Sequence, residues 1–82
     1  MVIVEFDSTF EKLIKKLKDA EEISKIKKQI SRIIENPEVG KPMRYGQKGT
    51  REVYIKPFRL SYFWIKEESK IILLDLYHKD KQ

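Results

Sequence analysis

Hydrophobic positions along this chain change period part-way, and that change lays out the fold. Val2, Val4 and Phe6 alternate with Ile3 and Glu5, as a half-buried strand does. From Asp7-Ser8-Thr9 the spacing lengthens. Phe10, Leu13, Ile14 and Leu17 recur at three and four residues, which predicts a short amphipathic helix to about Lys18, with Ser8 and Glu11 at capping-box spacing. Asp19 or a neighbour starts a second helix, with Glu21 and Glu22 in its first turn, where the helix dipole favours anions. Its stripe is Ile23, Ile26, Ile30, Ile33 and Ile34, and Lys25, Lys27, Lys28 and Arg32 stay outside. Asn36-Pro37 ends it, since the residue before proline is pushed out of the helical region.

After Pro37 the period drops to two. The segment Pro37 to Pro42 reads as a stiff connection, and Met43 to Lys48 as a loop or an irregular strand edge. Thr50 to Lys56 reads as a second strand, and Phe58 to Lys66, alternating Phe58, Leu60, Tyr62 and Trp64, as a third. Glu67 to Lys70 is a hairpin loop, and the apolar run Ile71 to His78 returns as a fourth strand with an interior place in the sheet. The expectation is an α+β fold in the order β-α-α-β-β-β. A helical hairpin packs on one face of a four-stranded, mainly antiparallel sheet and leaves the other face open.

Length and composition narrow the function classes. Eighty-two residues suit one domain spanning 1–82 with one modest core. There is no cysteine and one histidine, which removes disulfide frameworks and thiolate metal sites and argues against a histidine-based metal centre, so no cofactor is expected. The N-terminus lacks a basic region followed by a long apolar run, so neither signal peptide nor membrane span is read there, and the expected location is cytoplasmic. The net charge of +5 is uneven: residues 1–36 hold eight Lys/Arg against seven Asp/Glu, residues 37–82 ten against six. The strand-rich half therefore carries the basic excess, which suits a polyanion as much as it serves solubility.

Two positions stand out chemically. Arg59 lies between Phe58 and Leu60 in an apolar strand, where a guanidinium must find an anion or reach the open face. A structural ion pair to Glu52 or Asp75 is the alternative to ligand binding there. His78, the lone histidine, ends the last strand beside Tyr77 and Lys79, where it could move a proton near neutrality or simply terminate the strand in solvent.

Taken together, the β-α-α-β-β-β order, the stretch Gly49-Thr50-Arg51-Glu52-Val53-Tyr54-Ile55-Lys56, the following Phe58-Arg59-Leu60-Ser61-Tyr62, the ending Leu76-Tyr77-His78-Lys79 and the loop Pro37 to Met43 resemble the RelE/ParE toxin superfamily of toxin–antitoxin systems. The ending is similar to the RelE and YoeB branch. That resemblance implies a toxin that cuts mRNA at the ribosome by metal-independent attack of a ribose 2′-hydroxyl, with a cognate antitoxin whose acidic, amphipathic segment neutralises it. It further implies Arg59 on phosphate, His78 as general acid, Glu52 as general base and Lys56 as a phosphate ligand. Arg44, Lys48, Arg51, Tyr77, Lys79 and Lys81 would contact RNA, although Arg51 faces away from Glu52 if its strand is regular. RelE has lysines where this chain has Glu52 and Tyr54. The resemblance leaves two other readings open, a ParE-like toxin that poisons DNA gyrase and an inert member that only binds.

Overall fold

The computed structural model describes residues 2–43 and 48–78. Strand β1 (Ile3–Phe6) leads into α1 (Ser8–Lys16) and α2 (Ala20–Glu35), then β2 (Lys41–Pro42), β3 (Thr50–Ile55), β4 (Phe58–Ile65) and β5 (Lys70–His78). The sheet order is β1-β5-β4-β3-β2. The pairings β5–β4, β4–β3 and β3–β2 are antiparallel, whereas β1 runs parallel to β5. Among the described residues the sheet thus has five strands, not the expected four. The addition is β2, a two-residue strand in the Pro37–Pro42 connection, too short for any periodicity to reveal. It pairs Lys41 with Glu52 and Pro42 with Arg51.

Both helices begin on aspartate. The Asp7 carboxylate accepts the Thr9 N–H at 3.0 Å, so the cap of α1 is Asp7 and not the expected Ser8. Asp19 caps α2 by accepting the N–H groups of Glu21 and Glu22 at 2.8 and 3.3 Å. Such caps satisfy amide groups that have no partner inside the helix, each worth about 1 kcal/mol. The helices bury Phe10, Ile26 and Ile33 against Ile55, Leu60, Tyr62, Ile71, Leu73 and Leu76 of the sheet. Each such side chain contributes roughly 1.5–3 kcal/mol on leaving water.

The buried positions of β5 are spaced two apart, then three: Ile71, Leu73, Leu76. The register explains the step. Ser61 faces Asp75 while Tyr62 faces Leu73, so Leu74 is an extra residue in a bulge. A bulge inverts which face the remainder of the strand presents, because side chains alternate with period two. Beyond it, Leu76 and His78 point to the helix-covered face and Asp75 and Tyr77 to the open one. The chain between α2 and β3 is tied down by Tyr62, whose buried hydroxyl donates to the Pro37 carbonyl at 2.7 Å and accepts the Gly40 N–H at 3.0 Å. Arg51 reinforces it by donating to the carbonyls of Glu38 at 3.0 Å and Gly40 at 2.7 Å.

Candidate functional site on the open face of the sheet

Three neighbouring strands deliver polar side chains to the same place. In the β3–β4 register Tyr54 lies opposite Arg59, and in the β4–β5 register Arg59 lies opposite Tyr77. Glu52, two residues before Tyr54, shares their face by alternation. Its carboxylate joins the group: Oε1 accepts from Arg59 Nη1 at 3.1 Å, and Oε2 accepts from the Tyr77 hydroxyl at 2.8 Å. The arginine and glutamate side chains are 32% and 24% exposed, so the pair is reachable from solvent yet partly shielded from it. Burial first, and then the adjacent Glu52 carboxylate, push the Tyr77 phenol above its usual pKa, with Arg59 pulling the other way. The phenol therefore keeps its proton at neutral pH and donates it to the Glu52 carboxylate.

A cleft of about 540 Å³ opens at this cluster, where Glu52, Tyr54 and Arg59 meet Lys41 of β2 and Arg32 of α2. At its floor the Glu52 carboxylate takes hydrogen bonds from the Arg59 guanidinium and from the protonated Tyr77 phenol. Such a set can accept a proton, hold an anion and donate a proton. Among the described residues no group of three His, Asp or Glu side chains converges as metal ligands do.

The other residues singled out in the sequence fall elsewhere. His78 lies opposite Phe58, and its ring meets that of Phe58 edge-on at 5.8 Å between centroids. It is therefore on the opposite sheet face from Arg59, and the expectation of a joint Arg59–His78 constellation is corrected. The cause is the Leu74 bulge, which exchanges His78 for Tyr77 on the open face. Lys56 sits past the end of β3 and lines a second cleft beside α2 rather than the carboxylate cluster. Arg51 points away from Glu52 and spends its guanidinium on the two loop carbonyls, which ties it to fold integrity rather than to an RNA-facing surface. Lys48 is exposed in the turn before β3. Arg44, Lys79 and Lys81 lie outside the described residues.

Sequence reasoning passed over Tyr54, Arg32 and Lys41 as site residues. Strand alternation places Tyr54 on the same face as Glu52, a signal the sequence already held. Nothing in a helical stripe shows that Arg32 faces β3, and Lys41 depended on the unforeseen β2.

Among the described residues no helix is long and apolar enough to cross a membrane. No curated protein sequence matches the chain. Solved structures with the same fold include the isolated RelE toxin of E. coli, 18% identical with a TM-score of 0.84, covering 100% of this chain and 88% of that one. A second is the RelBE2 toxin–antitoxin complex of Mycobacterium tuberculosis, 24% identical with a TM-score of 0.78, covering 95% of this chain and 98% of that one. A metal-bound toxin from Helicobacter pylori is 26% identical with a TM-score of 0.69, covering 99% and 98%. The family profile described as the ParE toxin of type II toxin–antitoxin systems matches residues 4–82, nearly the whole chain. With that match and the RelE architecture of its sheet and helices, the chain belongs to the RelE/ParE superfamily of type II toxin–antitoxin toxins.

Proposed function

We propose that this chain is a single toxin domain acting as a metal-independent mRNA endoribonuclease at the ribosome, and that its reaction centre is Glu52, Arg59 and Tyr77. The observation that carries this reading is the Glu52 carboxylate, which accepts hydrogen bonds from both Arg59 and Tyr77 on the open sheet face. In the reaction, Glu52 takes the proton of a ribose 2′-hydroxyl, whose oxygen attacks the adjacent phosphorus. Arg59 turns from Glu52 to the non-bridging phosphate oxygens, where negative charge accumulates. The bond from phosphorus to the 5′-oxygen breaks, Tyr77 protonates that oxygen, and a 2′,3′-cyclic phosphate remains on the upstream fragment.

The same face is where an antitoxin would act. Complexes of this fold with RelB antitoxins are known from E. coli and Mycobacterium tuberculosis, and a cognate antitoxin with an acidic, amphipathic segment is the partner we assign here. Inducing the chain in cells and mapping mRNA 5′ ends tests the nuclease reading. New ends should accumulate within coding regions, and the Arg59→Ala variant should produce none. New ends that are equally abundant with Arg59→Ala would remove Arg59 from the reaction.

A second reading is a ParE-like toxin acting on DNA gyrase, favoured by the family profile itself. It predicts unchanged mRNA ends together with loss of gyrase supercoiling activity on addition of the purified protein.

A further inference from the structure

Glu52, Arg59 and Tyr77 occupy one end of a longer feature. Strand β2 covers only Arg51 and Glu52 of β3, so among the described residues no strand pairs with Val53, Tyr54 and Ile55 on that edge. The cleft at the carboxylate cluster runs along this edge, and a second cleft of about 350 Å³ continues it between β3 and α2. The two share Gln29, Arg32 and Tyr54 in their walls.

The charge along this path is one-sided. Lys25, Lys28, Arg32, Lys41 and Lys56 line it, and among the described residues the only carboxylate on its walls is Glu52, already engaged by Arg59. Among the described residues none of those five cations makes an ion pair. Lys25, Lys28 and Arg32 follow one another at steps of three and four, so they form a row on one side of α2 about 10 Å long. Tyr54, at 49% exposure, stands between that row and the cluster, opposite Arg59 in the register. Cations that follow a backbone beside an aromatic ring able to stack a base are the parts used to hold single-stranded nucleic acid.

We propose that the β3–α2 edge is a binding track for single-stranded RNA flanking the scissile phosphate, with Tyr54 stacking a base next to that phosphate and Lys28 and Arg32 neutralising phosphates further along. The proposal rests on the nuclease reading and extends it from one bond to several nucleotides. An acidic peptide would also meet the cations. Continuity with Arg59 and an aromatic ring at the junction favour the nucleic acid.

The test is fluorescence anisotropy with a labelled 12-nucleotide single strand carrying 2′-O-methyl groups, which removes the attacking hydroxyl and prevents cleavage. The wild-type chain should bind it with steep salt dependence. The double variant Lys28→Glu/Arg32→Glu should lose about tenfold or more in affinity at low salt, and its salt slope should fall by roughly 1.4, about 0.7 for each phosphate contact removed. Tyr54→Ala should lose about tenfold. Lys28 and Arg32 are exposed, so thermal unfolding of the double variant should match the wild type and separates lost binding from lost fold.

Wild-type protein that does not bind the strand overturns the track, as do variants that bind it with unchanged affinity. Variants that lose antitoxin capture but keep RNA affinity make the edge a peptide dock instead. If the groove variants bind normally while Arg59→Ala abolishes mRNA cleavage in cells, the nuclease reading stands and the track falls. If the groove variants lose RNA while Arg59→Ala cleaves as before, the track stands and the catalytic assignment falls.

Discussion

Replacing Tyr62 with phenylalanine removes one oxygen atom and two hydrogen bonds, so its cost can be worked from the structure. Tyr62 is fully buried, and its hydroxyl gives a 2.7 Å bond to the Pro37 carbonyl and receives a 3.0 Å bond from the Gly40 N–H. Each bond contributes about 1 kcal/mol net. Gly40 is itself buried, so its N–H would lose its partner without water at hand to replace it, which adds about 1 kcal/mol or more. The expected loss is about 3 kcal/mol, large against the roughly 5–15 kcal/mol that holds a small domain folded. Urea unfolding is the assay. With a slope near 1 kcal/mol per molar for a chain this small, the midpoint should fall by about 3 M with the slope unchanged. The loop that Tyr62 pins leads into β2, which places Lys41, so RNA affinity should fall alongside stability in Tyr62→Phe. A midpoint shift below about 0.5 M would refute the reasoning, because it would mean that the loop is held by Arg51 and chain connectivity alone.

Three more outcomes are expected. Gly40→Ala would set a Cβ 2.7 Å from the Tyr62 hydroxyl and 2.9 Å from the Glu52 carbonyl, so it should cost about 1–3 kcal/mol by the same urea assay and disturb the backbone that carries Glu52. Glu52→Gln should slow mRNA cleavage by about 10²–10⁴-fold with the fold intact, as loss of a general base does, read as 5′-end formation after induction. Because the folded state holds the Tyr77 proton more tightly than the unfolded chain, the stability from that phenol is fully present below the usual value of 10.0 and is lost as pH rises through the higher folded value. Denaturation at pH 9 and pH 11 should therefore show a smaller loss for Tyr77→Phe than for the wild type; equal losses would count against the burial and carboxylate contact at that phenol.

The sequence carried the helices well because their apolar stripes and aspartate starts act locally. Ile26 and Ile33 are buried where the three- and four-residue spacing put them, and α2 ends one residue before Asn36. The strands of the hairpin around Pro57 were equally legible from Phe58, Leu60 and Tyr62. Two features were not. Strand β2 consists of a lysine and a proline, residues with no strand preference, and the loop leading into it is held by Tyr62 of β4 and Arg51 of β3, both far along the chain. The bulge at Leu74 lies inside Ile71-Ile72-Leu73-Leu74, where every residue is apolar and no alternation marks the skipped position. That single slip decided the site. Arg59 and Glu52 were legible as chemistry-bearing, whereas their third partner is Tyr77 instead of His78.

The Leu74 bulge also bears on how such a site can change over generations. Two side chains able to donate a proton stand side by side at the end of β5, and the strand's phase alone selects between them. Loss of one codon from the apolar run would rotate the strand end by half a period, withdrawing the phenol and presenting the imidazole, with no substitution at either residue. Insertion or deletion in that run thus exchanges one side chain for the other on the open face, and an alignment that scores only substitutions would record the exchange as a shifted gap.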